Sequence, residues 1–157
     1  MKKIALLMAT AALFSLTACD NDDDKTPEKV VVEDGTYKGT ISVDQNDGTF
    51  YTQNDVEMKI TLSADGKKAE IELFKVGFST AMPLKLDMTI PGVTVEEVTD
   101  GLKISGDQIV PLAFGGTEYP AFTITGMEGK VTPETISFEM TCGEFPLTFS
   151  GTVVKTD

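Results

Sequence analysis

Chemistry in this chain has few places to reside. Among 157 residues there is no His, Arg or Trp, and there are only two Cys, Cys19 and Cys142. Without His, neither a Ser-His-Asp relay nor a Cys-His pair can be assembled, and no imidazole can ligate a metal. Without Arg, no bidentate fork is available for a phosphate or carboxylate substrate. What remains is 25 carboxylates, 13 Lys and the hydroxyl groups. Glu96 and Glu97 adjoin, but neighbours on a strand face opposite ways, so they cannot share a substrate as acid and base. Glu118 and Glu128 are the carboxylates that a rim could bring to a substrate, but solvated surface positions account for them far better. Cys142 lies on the apolar parity of its segment with no cation to lower its pKa, which describes an inert buried thiol. No catalytic residue, metal or cofactor is expected, and the chain reads as a non-enzyme.

Cys19 is a different case because of what precedes it. Lys2 and Lys3 give a positive start, and Ile4 to Leu16 give an apolar run too short to cross a bilayer as a helix. The following Leu16-Thr17-Ala18-Cys19 resembles the lipobox of bacterial lipoproteins. That resemblance implies cleavage before Cys19, then acylation of its thiol and amine. Each buried CH₂ of such chains contributes roughly 0.8 kcal/mol, so three chains hold a soluble domain at a membrane effectively irreversibly. The membrane is thus a partner through this lipid anchor.

Directly behind stand Asp20, Asp22, Asp23 and Asp24. This acidic run resembles the surface-export signal of Bacteroidota lipoproteins, which implies the outer face of the outer membrane, with a periplasm-facing domain as the alternative. A self-repelling, Pro-bearing tether explains the same residues. The D-x-D-x-D spacing of Asp20, Asp22 and Asp24 does not make a calcium loop, because Lys25 stands where that loop needs Gly and Val31 where it needs Glu. Three segments follow: a leader at 1–18, a lipidated Cys and acidic linker at 19–34, and one domain at 35–154.

Loss of the leader takes 18 residues and two Lys, leaving 139 residues with 11 Lys against 25 acids, a net charge of −14. Nucleic acid is excluded as a partner, and so are anionic headgroups, since both need a basic face. With Cys19 acylated, Cys142 has no thiol to pair with.

The elements that must position any site are strands. Tyr37, Gly39, Ile41 and Val43 alternate with polar residues, as do Val56, Met58, Ile60 and Leu62, and Ala64-Asp65-Gly66-Lys67 turns the chain into Ala69, Ile71 and Leu73. Apolar parity changes between Leu73 and Phe74, which a bulge or a doubly covered face would explain. Leu84 to Ile90 forms the next strand, Pro91-Gly92 breaks it, and Val93 to Val98 starts another that returns through Leu102 and Ile104. Ile109 to Phe114 is broken by Pro111 and reads as an edge strand or loop. A strand from near Glu118 toward Lys130, one through Ile136 to Cys142 and one from Phe145 to Val153 complete the chain. No helical pattern follows the leader. About eight short strands on hairpin connections predict an all-β, antiparallel, up-and-down barrel, with a β-sandwich as the alternative.

The domain from Gly35 to Val154 resembles the calycin-like, lipocalin-like β-barrel lipoproteins of Bacteroidota. The resemblance rests on Gly35-Thr36-Tyr37-Lys38-Gly39-Thr40, Ile90-Pro91-Gly92-Val93 and Thr148-Phe149-Ser150-Gly151. The opening is also similar to the G-x-W of lipocalins, with Tyr37 in the place of Trp; the Arg that lipocalins pair with it has no counterpart. Tyr37, Met58, Met88, Phe122, Phe138, Met140 and Phe149 share the inward parity and could line a cavity for a small hydrophobic ligand or fill an ordinary core. An eight-stranded interior suits either. Burying each such side chain stabilises the fold by roughly 1.5–3 kcal/mol, which favours the filled core. Phe50, Tyr51 and Tyr119, near turns, are the side chains that could stack on a glycan. The chain is expected to bind such a ligand from a membrane-anchored barrel or, if the barrel is solid, to serve as an accessory subunit contacting another envelope protein.

Overall fold

A computed structural model describes residues 29–155, so Cys19 and Asp20, Asp22, Asp23 and Asp24 lie outside the described residues. Eight strands close on themselves: β1 (Gly35–Asp44), β2 (Phe50–Leu62), β3 (Lys68–Val76), β4 (Leu86–Val98), β5 (Gly101–Gly106), β8 (Ile124–Val131), β9 (Thr135–Cys142) and β10 (Phe145–Val153). Every neighbour is antiparallel and next in this order, and β1 pairs with β10 from Tyr37↔Val153 to Val43↔Leu147. The fold is therefore an up-and-down barrel and not a sandwich. Closure removes the two unpaired edges that an open sheet of these strands would expose.

Alternation supplies the core. Ile41, Val43, Met58, Ile60, Ile71, Met88, Ile90, Ile104, Ile136 and Phe149 all point inward and are excluded from solvent. Gly39 makes the seam possible. A Cβ there would lie 2.1 Å from the Ser150 carbonyl oxygen and 2.5 Å from Gly151 Cα, so only Gly lets β1 and β10 approach this closely.

Strict alternation fails once in each of β2, β3, β4 and β8, where two residues oppose one on the neighbouring strand. Each of these bulges contains one left-handed residue: Asp55 at φ 59°, Lys75 at 52°, Gly92 at 68° and Gly126 at 59°. The expected break at Pro91-Gly92 is a bulge within one continuous β4, which restores the inward parity at Val93. The parity change after Leu73 is likewise a bulge at Lys75, whose N–H donates to Asp87 Oδ1 at 2.8 Å.

One further expectation is corrected. The chain from Glu118 toward Lys130 is not a single strand, because Pro120 opens a 3-10 turn, η1 (Pro120–Phe122), that separates β7 (Thr117–Glu118) from β8. Strand β7 pairs with β6 (Leu112–Ala113), and this small hairpin hangs from β4 through Met88↔Ala113 and Thr89↔Leu112.

The two ends differ. At the base, Val32 from the N-terminal segment is buried in the core, Lys29 Nζ sits 2.7 Å from Glu97 Oε2, and Asp34 Oδ1 accepts from Leu62 N at 2.7 Å. The Tyr37 hydroxyl donates to the Thr132 carbonyl at 3.0 Å, tying β1 to the turn between β8 and β9. The opposite end carries the β1–β2 and β3–β4 loops, the β6–β7 hairpin with η1, and the β9–β10 turn.

Candidate functional site

Of the seven residues proposed to line a cavity, six lie in the core. Tyr37, Met58, Met88, Phe138, Met140 and Phe149 are at most 4% exposed and belong to one continuous apolar cluster, in which Phe138 stacks on Phe149 at 5.4 Å. Phe138 and Phe149 back a concavity of the outer wall and Met140 another, and of the seven Phe122 alone lines the concavity at the barrel mouth. It belongs to η1, at the end of the barrel away from the N-terminal segment.

Residues after β3 build that concavity together with β6–β7, η1 and the start of β10. Phe78 stacks on Phe122 at 5.1 Å and 22°, Phe122 on Tyr119 at 5.4 Å and 23°, and Phe114 meets Tyr119 at 6.0 Å and a tilted 59°. Met82, Leu84 and Phe145 complete an apolar hollow of about 450 Å³. Phe114 and Leu84 are 64% and 70% exposed, so large apolar surface meets water here.

The backbone that holds this ladder is specified locally. Gln45 Nε2 donates to the Phe78 carbonyl at 2.8 Å, which pins the first ring to the β1–β2 loop. Tyr119 N donates to Pro111 O at 2.9 Å, and Thr123 Oγ1 to Pro120 O at 2.7 Å, closing the 3-10 turn. Gly143 packs beneath: a Cβ there would lie 2.4 Å from Ala121 O, so the β9–β10 turn lies hard against η1. Phe114 holds φ at 50° and is followed by Gly115 at 81° and Gly116 at 115°. For a bulky aromatic such a conformation is strained, and it persists only where the surroundings over-determine it.

Electrostatically the hollow is blank. None of its lining side chains carries a charge, and Ser79 and Tyr119 supply its side-chain hydroxyls. Just below, Cys142 is sealed from solvent with its Sγ 3.5 Å from Phe122 O, and burial pushes the thiol pKa up to about 12. A thiol held protonated in this way is neither a nucleophile nor a metal ligand at neutral pH.

The remaining candidates are dispersed. Glu118 is exposed on β7, Glu128 lies on the outer wall opposite Glu139, and Glu96 and Glu97 are both exposed near the end of β4. Lys130 Nζ approaches Asp100 Oδ2 at 2.5 Å on that wall, and this hydrogen bond lowers the Asp100 pKa. Of the ring-stacking candidates, Tyr119 joins the ladder. Tyr51 donates to Gln53 Oε1 at 3.2 Å, and Phe50 stands exposed on the outer wall near Pro146. Phe78, Met82, Leu84, Phe114 and Phe145 were not singled out from sequence as site residues. The signal that marks four of them is large apolar side chains in connections between strands, where the two-residue period has stopped.

A closed, antiparallel, eight-stranded up-and-down barrel is a calycin-like architecture. The chain belongs to the calycin-like beta-barrel domain family, whose profile matches residues 34–157. No curated protein and no solved structure matches the chain significantly.

Proposed function

We propose that this protein is a non-enzymatic, lipid-anchored envelope protein of a Bacteroidota-type cell, displayed on the outer membrane, whose barrel mouth captures a small hydrophobic ligand. One observation carries the binding reading: the mouth is an uncharged hollow framed by Phe78, Phe114, Tyr119 and Phe122, and it lies at the end opposite the N-terminal segment. Lys29, the first described residue, sits at the base, the end opposite the mouth. Mouths of β-barrels are preferred ligand sites, and a lining dominated by aromatic and aliphatic side chains is their usual chemistry.

The anchor and the binding are tested separately. Mass spectrometry of the mature protein is expected to find acylated Cys19 at the N-terminus, and protease shaving of intact cells is expected to remove the domain; an unmodified sulfur or a protected domain would refute the address. For binding, the chain from residue 19 carrying Cys19→Ser is screened by thermal shift against hydrophobic metabolites and glycans. A stabilising hydrophobic hit that is lost with Phe122→Ala supports the mouth, and a screen without any hit refutes it. The filled interior favours a second reading, an accessory subunit that uses its loops against another envelope protein; capture of a defined complex by in-cell cross-linking near Phe114 would support it.

A further inference from the structure

We infer that the mouth selects a neutral, flat, ring-containing ligand, which lies along the aromatic ladder and is covered by Phe114; this rests on the mouth being the binding site. Three observations narrow the ligand class.

The first is charge. A carboxylate or ammonium entering the hollow would leave water without an ionic partner among the lining side chains, and desolvating an unpaired charge is strongly unfavourable. A ligand bearing one hydroxyl or carbonyl is different, since the Ser79 and Tyr119 hydroxyls can meet it.

The second is depth. An extended acyl chain needs a tunnel, but the strand positions under the mouth are taken by Leu86, Met88, Ile124, Met140 and Cys142, all buried and packed into the core. The occupant therefore lies across the mouth and not down the barrel axis. The hollow holds about 450 Å³ and is open at the rim.

The third is shape. Phe78, 3% exposed, floors the hollow, and the half-buried Phe122 and Tyr119 step out from it to the rim with successive planes 22° and 23° apart, which favours a ring offset-stacked at the outer end of the series. Phe114 departs from the series at 59°, sits at the tip of a hairpin attached to the barrel by two residue pairs, and is followed by two glycines at positive φ. It is the ladder ring least enclosed by the fold and the one placed to close on a guest.

The test uses the chain from residue 19 with Cys19→Ser and the uncharged fluorophore Nile red, whose emission rises in apolar surroundings. Saturable emission is expected, displaced by 2-naphthol and at least about tenfold less effectively by 1-naphthalenesulfonate, laurate or dodecanol. Phe114→Ala, a change at an exposed tip, is expected to weaken Nile red about tenfold while leaving the far-UV dichroism unaltered. Leu84→Ser serves as a second exposed rim change with the same direction. Saturable Nile red binding displaced equally well by laurate, dodecanol or the sulfonate would overturn the ligand class and leave the mouth site standing. Binding unchanged by both rim variants, or no saturable emission at all, would overturn the mouth site and this inference with it.

Discussion

Alanine at position 39 tests whether barrel closure rests on a backbone contact that admits no side chain. Its Cβ would lie 2.1 Å from Ser150 O, 2.5 Å from Gly151 Cα and 2.7 Å from Ser150 C, and all three are main-chain atoms of the paired strand. Ordinary contact begins near 3.4 Å, so β10 must retreat by about 1.3 Å, the difference from 2.1 Å. No rotamer can relieve this. Overpacking costs about 1–3 kcal/mol, and losing one or two of the adjacent β1–β10 hydrogen bonds adds about 1 kcal/mol each, so about 2–5 kcal/mol is expected. Gly35→Ala is the control, because its Cβ would meet the Tyr37 ring edge at 3.3 Å, a side chain that can yield. Urea unfolding of the two variants and the parent, followed by tryptophan-free far-UV dichroism, measures the difference. A Gly39→Ala variant within 1 kcal/mol of the parent, or no less stable than Gly35→Ala, would refute the claim that close approach at the seam requires glycine.

Tyr37→Phe removes the hydroxyl that donates to Thr132 O and leaves that carbonyl short of a partner, so a loss of about 1–2 kcal/mol in chemical denaturation is expected. Burial raises the pKa of both Tyr37 and Cys142, so the folded chain holds these two protons more tightly than the unfolded chain. Their stabilising contribution is complete below the unfolded pKa and falls as pH rises, for Cys142 between its ordinary 9.0 and about 12; Cys142→Ala should flatten the stability profile in that window. Native Cys142 should also resist a thiol reagent at pH 8 and react once urea unfolds the barrel. Lys130→Ala should raise the Asp100 pKa in a carboxyl NMR titration yet leave the denaturation midpoint unshifted, because both groups are exposed and screened by water.

Much of the barrel was legible because its strands obey one rule. From Ile136 to Cys142 the inward set read from sequence is the buried set, and from Tyr37 to Val43 all of it but Gly39 is buried; Leu84, read into the next strand, is instead exposed before β4 begins. The rule fails where a single residue is inserted. Gly92 looks like a terminator because glycine and proline usually end strands, yet here the pair forms a bulge that β3 continues to flank. The bulges at Asp55 and Lys75 lack even that glycine marker, since left-handed backbone at a charged residue leaves no compositional trace. The mouth was less legible still. Its rings come from segments far apart in the chain, Phe78 after β3, Phe114 between β6 and β7, Tyr119 and Phe122 around η1, and only the tertiary fold brings them into one ladder.

The same packing that makes this barrel self-sufficient decides where binding can occur. Eight strands enclose a volume near the minimum that side chains can fill, and this sequence fills it with Met58, Met88, Met140, Phe138 and Phe149 from opposing walls. Each would leave a void on truncation, at a typical cost of 2–5 kcal/mol, so the fold resists becoming hollow. The packing leaves the rim as the place for the proposed binding, where the chain no longer needs to satisfy a ladder on both sides. There Pro120 frees the backbone from β8, η1 presents Phe122 outward, and Gly115-Gly116 lets a hairpin carry Phe114 into solvent. An exposed Phe in a strained conformation lowers stability on its own account. Its position beside three stacked rings gives that cost a physical rationale: an unfilled surface whose natural complement is another flat apolar face.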